Sequence, residues 1–172
     1  MMRNIRLSEK VLLLGYSFIL LFMIVQDFVP LGSLNDIEAI KQEKTTNELI
    51  LVTLIGVIQI ALFITLILLY AGKTYPLLIK IWLVIHPLCI FAGALMSWWI
   101  PYFTGIGAQE KVEGYTTMFG NTHAFLPMMN GIVPNTLHTI FHISLLFCIL
   151  LSIYIFVTKT KVLSNINEDK VS

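Results

Sequence analysis

A four-span, all-helical membrane bundle is the fold this sequence predicts, and three observations carry the prediction. Hydrophobic residues make up 57% of the 172-residue chain and charged residues 12%, with a mean hydropathy of +0.84, whereas a soluble domain is about 25% charged. Residues 11–26, 49–72, 81–109 and 114–158 contain no Asp, Glu, Lys or Arg, and roughly 20 apolar residues cross a hydrocarbon core as a helix. Helix start and stop signals stand at the edges of these stretches and divide them into separate helices. The spans fall at 11–29, 49–70, 77–99 and 136–157, within one transmembrane unit over 1–158 followed by a short polar tail over 159–172.

The first span follows Arg3, Arg6 and Lys10. A basic start before an apolar core also suits a secretory signal, but the QDFVPLGS that follows lacks a small-x-small cleavage pattern, so the span reads as retained. In the outer segment after it, Leu34, Ile37 and Ile40 recur at three-residue spacing among charges, which predicts a short amphipathic helix lying on the surface. Thr45-Thr46-Asn47-Glu48 has the form of a capping box and starts the second span, and Gly72 stops it. Thr74 and Pro76 read as a cap and first-turn proline for the third span. Inside that span, Pro87 removes the hydrogen bond to the Leu83 carbonyl and predicts a kink. Gly93 and Ser97 form a small-xxx-small pair that favours close helix approach. Pro134 and Asn135 open the fourth span.

Orientation follows from the basic residues. Arg3, Arg6, Lys10, Lys73, Lys80, Lys159, Lys161 and Lys170 fall on one side, and only Lys41, Lys44 and Lys111 on the other. The positive-inside rule then places both termini in the cytoplasm. Trp98, Trp99 and Tyr102 are expected at the outer interface, and Tyr70, Tyr75 and Tyr154 at the inner one. Lysine outnumbers arginine nine to two, a bias that together with abundant isoleucine suits an AT-rich bacterial genome and hence a bacterial cytoplasmic membrane.

An outer cap is expected over 100–135. Its second part, GYTTMFGNTHAFLPMMNGIVPN, is uncharged and punctuated by Gly, Pro and Asn. It is too broken to be a fifth span, and too apolar to hang free in water. It is predicted to fold back on the mouth of the bundle as a lid or re-entrant turn.

His138 and His142 stand four apart, on one helix face, and His123 lies in the folded-back segment. Three imidazoles at one mouth would make a metal site, with copper or zinc as the expected metal; Met118, Met128 and Met129 nearby would favour copper. The competing reading has these histidines hydrogen-bonding the lid to the helix end while the methionines pack an irregular surface. His86, in mid-span, reads either as an intramembrane polar site or as a donor that stabilises the Pro87 kink. A haem shared by His86 and His142 is geometrically poor because the two lie at different depths. Cys89 and Cys148 lie inside spans and read as small apolar packers.

A formal net charge of +1 argues against nucleic acid as a partner, which wants a concentrated basic surface. There is no paired carboxylate in a span, no G-x-S-x-G and no phosphate loop, so no catalytic constellation is visible. Asp27 alone among the acids approaches the membrane, and Gln59 is the only amide deep in a span, which is little for an ion path. The expectation is a small non-catalytic membrane protein, surrounded by lipid, that binds a partner protein, a second copy, a lipid or a small ligand at its outward mouth. A metal-dependent redox or hydrolytic protein using His123, His138 and His142, and a small transporter or channel subunit, are the alternatives.

Overall fold

A computed structural model describes residues 5–158. Arg3, Lys159, Lys161, Lys170 and the polar tail expected over 159–172 lie outside the described residues. In chain order the helices are α1 (Leu7–Val25), α2 (Ile37–Glu43), α3 (Thr46–Tyr70), α4 (Leu77–Ala94), α5 (Ile100–Thr104), α6 (Gln109–Phe119) and α7 (Thr136–Val157). A 3-10 turn (Gly32–Leu34) precedes α2, and a π-helical turn (Leu95–Trp99) joins α4 to α5 into one rod from Leu77 to Thr104. That rod, α1, α3 and α7 are each long and apolar enough to cross a membrane. The chain is an all-α polytopic membrane bundle.

Local chemistry sets most boundaries. At the start of α3 the Thr45 hydroxyl accepts from the Glu48 N–H at 3.3 Å while the Glu48 carboxylate accepts from the Thr45 N–H at 2.8 Å, the reciprocal pairing of a capping box. Gly72, at φ +66°, turns the chain after α3. Asn135 caps α7 by accepting the His138 N–H at 2.9 Å. Thr74 differs from its expected role, since α4 begins after Pro76 with no side-chain cap. α1 starts at Leu7 and ends at Val25, and the third span runs five residues past Trp99.

α1 packs on α3 and on α7, and α7 packs on α4. Tyr16, Ile19, Phe63, Leu83, Leu145 and Cys148 fill the shared core. Where α1 begins and α7 ends, a polar clasp joins three elements. Glu9 is fully buried and accepts from the Gly72 N–H at 3.1 Å and the Arg6 N–H at 2.9 Å. The Arg6 guanidinium lies 3.8 Å from that carboxylate and donates to the Ile155 and Thr158 carbonyls at 3.2 and 3.3 Å. These carbonyls end α7, where the helix dipole favours a cation. Burial, then the Glu9 charge, raises the Tyr75 hydroxyl above its ordinary pKa.

At the other end sits a cap. α2, expected to lie on the surface, packs instead on α6, with Ile40, Leu49 and Met118 forming a small core. α6 itself was not anticipated in the sequence, which reads as an irregular segment there. After it the chain turns tightly at Asn130 and Gly131, both at positive φ (52° and 77°), and Met129 and Ile132 exchange backbone hydrogen bonds of 3.0 and 2.9 Å across the turn. Asn-Gly is the preferred pair for such a turn. The cap is anchored three ways: the His123 N–H donates to the Ser33 carbonyl, the Asn130 amide to the Tyr102 carbonyl at 2.8 Å, and the Tyr102 hydroxyl to the Pro127 carbonyl at 3.0 Å.

Candidate functional site

The helix order α3, α1, α7, α4 leaves α3 and α4 without a packed interface comparable to the others among the described residues. They meet in the middle, where the Phe63 and His86 rings lie 5.3 Å apart. Toward the cap they leave a chamber of about 300 Å³, roofed by Met118 and Phe119 of α6, near the lower limit of small-ligand sites. Gln26 and Asp27 reach it from the end of α1, Lys44 from the link between α2 and α3, Trp98 from the π-helical turn, and His138 and His142 from α7.

The π-helical turn explains how Trp98 comes to line this wall. One wide turn shifts the helix face by an extra residue, and Trp98 and Trp99 then serve different partners. Trp98 stacks near His138, with centroids 4.8 Å apart and planes at 31°, and contacts Phe119 at 5.1 Å. Trp99 donates its indole N–H to His142 Nδ1 at 3.2 Å. Pro101 has no N–H to give to the Ser97 carbonyl four residues earlier, and the Tyr115 hydroxyl of α6 donates to that carbonyl at 2.9 Å. Trp98 and Tyr102 are buried, at 6% and 2% exposure.

The same geometry fixes the protons of both imidazoles. Nδ1 of His142 accepts from an indole, so the proton of the neutral ring is on Nε2. Asn135 Oδ1 accepts from the His138 backbone N–H, which can only donate, and also lies 2.8 Å from His138 Nδ1. That ring nitrogen therefore carries the proton, and Nε2 of neutral His138 is bare. The two imidazoles, with centroids 6.2 Å apart, both line the chamber and have opposite hydrogen-bonding senses at Nε2.

Asp27 is half-buried and Lys44 exposed. Burial raises the Asp27 carboxyl above the usual carboxylate range, with the Lys44 charge and the Gln26 amide pulling it back. Gln26 donates to Asp27 at a long 3.5 Å, while its own Oε1 is buried without a partner.

Of the residues singled out in the sequence, His138 and His142 come together and His123 does not join them. The exposed His123 ring pairs with the Thr136 hydroxyl at 2.8 Å. Among the described residues no three His, Cys, Asp or Glu side chains gather as a metal would need. Of the three methionines, Met118 is buried in the roof while Met128 and Met129 are exposed on the cap. His86 lies against Trp82 at 4.7 Å as well as Phe63, with no side-chain hydrogen bond to the Leu83 carbonyl. Cys148 is buried in the core and Cys89 is exposed.

Gly93 corrects the close-packing expectation: a Cβ built on it meets nothing within 4 Å. Gly93 and Ser97 border the chamber instead of a tight helix contact. Gln26, Lys44 and Trp98 were not anticipated as part of the site. A polar Gln-Asp pair directly after a charge-free run was a readable signal for the first of these; the placing of Trp98 depends on the π-helical turn.

No protein-family model, curated protein or solved structure matches the chain.

Proposed function

We propose that this is a non-catalytic membrane protein that binds a small ligand in the chamber beneath its cap. The observation that supports the reading best is a preformed cavity with aromatic walls and a few convergent polar groups, the usual composition of a ligand site. His138 and His142 supply an acceptor and a donor there, held by Asn135 and Trp99 before any ligand arrives. Such preorganisation reduces the ordering cost of binding.

The basic residues orient the protein in a cell membrane, which the composition suggests is bacterial. Arg6, Lys10, Lys73 and Lys80 stand at the end opposite the cap, so the positive-inside rule points the cap away from the cytoplasm.

The test is to purify wild type and Gly93→Leu in lipid nanodiscs, denature both, and compare the released small molecules by mass spectrometry. The leucine would occupy the chamber. A species carried by wild type in near-stoichiometric amount and missing from Gly93→Leu is the expected result. Identical profiles, with only bulk lipid in both, would contradict the proposal.

A further inference from the structure

The residues around the chamber hold acceptors that their neighbours leave unmet. Three acceptors of its lining residues lack full donors: Gln26 Oε1 is buried without a partner, the Asp27 carboxylate has the Gln26 amide at 3.5 Å, and His138 Nε2 is bare because Nδ1 faces Asn135. The donors of the lining residues are His142 Nε2–H, the Trp98 indole N–H, the Ser97 hydroxyl and the Lys44 ammonium. Lys44 makes no ion pair with Asp27 within 4.0 Å; the ion pairs among the described residues are Arg6 with Glu9 and Lys41 with Glu38. Much of the remaining wall is aromatic, from Trp98, Phe119 and Phe141.

Lone pairs and ring faces both present negative potential, and an organic cation satisfies both at once. A buried acceptor without a donor is costly, so a donor-rich ligand gains most here. The raised pKa of Asp27 has burial as its largest cause, meaning that its present neighbours do not fully compensate the charge. The chamber also has a side exit: Val52 on α3 and Gly93 on α4 are exposed at its edge, and the space beyond the Gly93 Cα is open.

We infer that the chamber takes a lipophilic organic amine, with its ammonium group on Asp27 and Gln26, its head against Trp98 and Phe119, and its hydrocarbon tail passing between α3 and α4 into the bilayer. This rests on the binding role proposed above and names the ligand class. Lys44 is then a competitor that the ligand displaces from the field of Asp27.

The test uses 3-bromo-4-octylbenzylamine, the matching benzyl alcohol and the matching benzoate as probes, because bromine held beside the head group quenches indole emission at contact and Trp98 lines the chamber. Each is titrated into the protein in nanodiscs of zwitterionic lipid, with thermal melting to confirm that every variant is folded. Only the amine is expected to add a saturable component to the linear quenching caused by partitioning. Asp27→Asn should weaken it about tenfold or more, Lys44→Gln should strengthen it, and Gly93→Leu should remove it. A saturable component from the alcohol or the carboxylate that survives Asp27→Asn would overturn the ligand class and leave the binding role standing. Absence of saturation with all three probes, together with identical released molecules from wild type and Gly93→Leu, would overturn both.

Discussion

His142 and His138 hold their protons on different ring nitrogens because different neighbours claim Nδ1. Nitrogen NMR of the imidazoles should therefore show the Nε2–H tautomer for His142 and the Nδ1–H tautomer for His138. Trp99→Phe should mix the tautomers of His142 alone; an unchanged His142 spectrum would mean the indole does not set it. Tyr115→Phe removes the hydroxyl that serves the Ser97 carbonyl and should lower stability by about 1 kcal/mol, read from denaturant or thermal unfolding. Asp27 gives a pH-dependent effect of defined sign. Its folded pKa is raised, so its favourable contribution is full below the unfolded carboxylate value of about 3.9 and is lost as pH rises through the folded value. Asp27→Asn should thus raise the melting temperature near neutral pH in the ligand-free protein, with the gain shrinking in acid. At this scale the histidine pair was legible from its spacing, whereas its separation from His123 was not. That separation depends on His123 bonding Thr136 and Ser33, contacts set by the path of the cap.

Among the elements, the α1–α7 crossing leaves no room for an added atom at Gly15. A Cβ on Gly15 would lie 2.6 Å from Cys148 Sγ, so Gly15→Ala should cost roughly 1–3 kcal/mol as overpacking. Adding Cys148→Ala should recover much of it, and strict additivity of the two changes would argue against the contact. At the opposite end from the cap, Glu9→Ala leaves the Gly72 and Arg6 backbone N–H groups without their acceptor and the Arg6 guanidinium without its counter-charge. The expected loss is about 3–5 kcal/mol, the range for breaking a buried ion pair from one side. Caps were the elements' most readable features: Thr45 with Glu48, and Asn135, act as their types predict. α6 escaped notice because Gly114 and two threonines interrupt its apolar pattern, and packing on α2 supplies what local propensity does not. The Asn130-Gly131 turn carried a clear local signal. The π-helical turn did not, since a one-residue shift of face leaves no mark in a span that is apolar on every side.

For the whole molecule, four spans were legible because charge-free length is a direct physical requirement of the bilayer. Their arrangement was not, because Leu, Ile and Val surround every span and lipid-facing and protein-facing positions look alike. The small residues at Gly93 and Ser97 fit equally well with a close helix contact and with a chamber wall, and the three-dimensional packing decides between them. Orientation makes its own prediction: a thiol introduced by Asn121→Cys on the exposed cap should react with a membrane-impermeant maleimide in intact cells. Labelling only after lysis would place the cap in the cytoplasm. The proposed binding site exists only if α3 and α4 stand apart beneath the cap, and the thermal stability of Gly93→Leu tests this most directly. If the chamber is open, leucine fills space and the melting temperature holds or rises by about 2–4 °C, corresponding to roughly 1 kcal/mol in a chain of this size. A fall of several degrees, the mark of overpacking, would mean that a helix packs against Gly93 and that the chamber is closed.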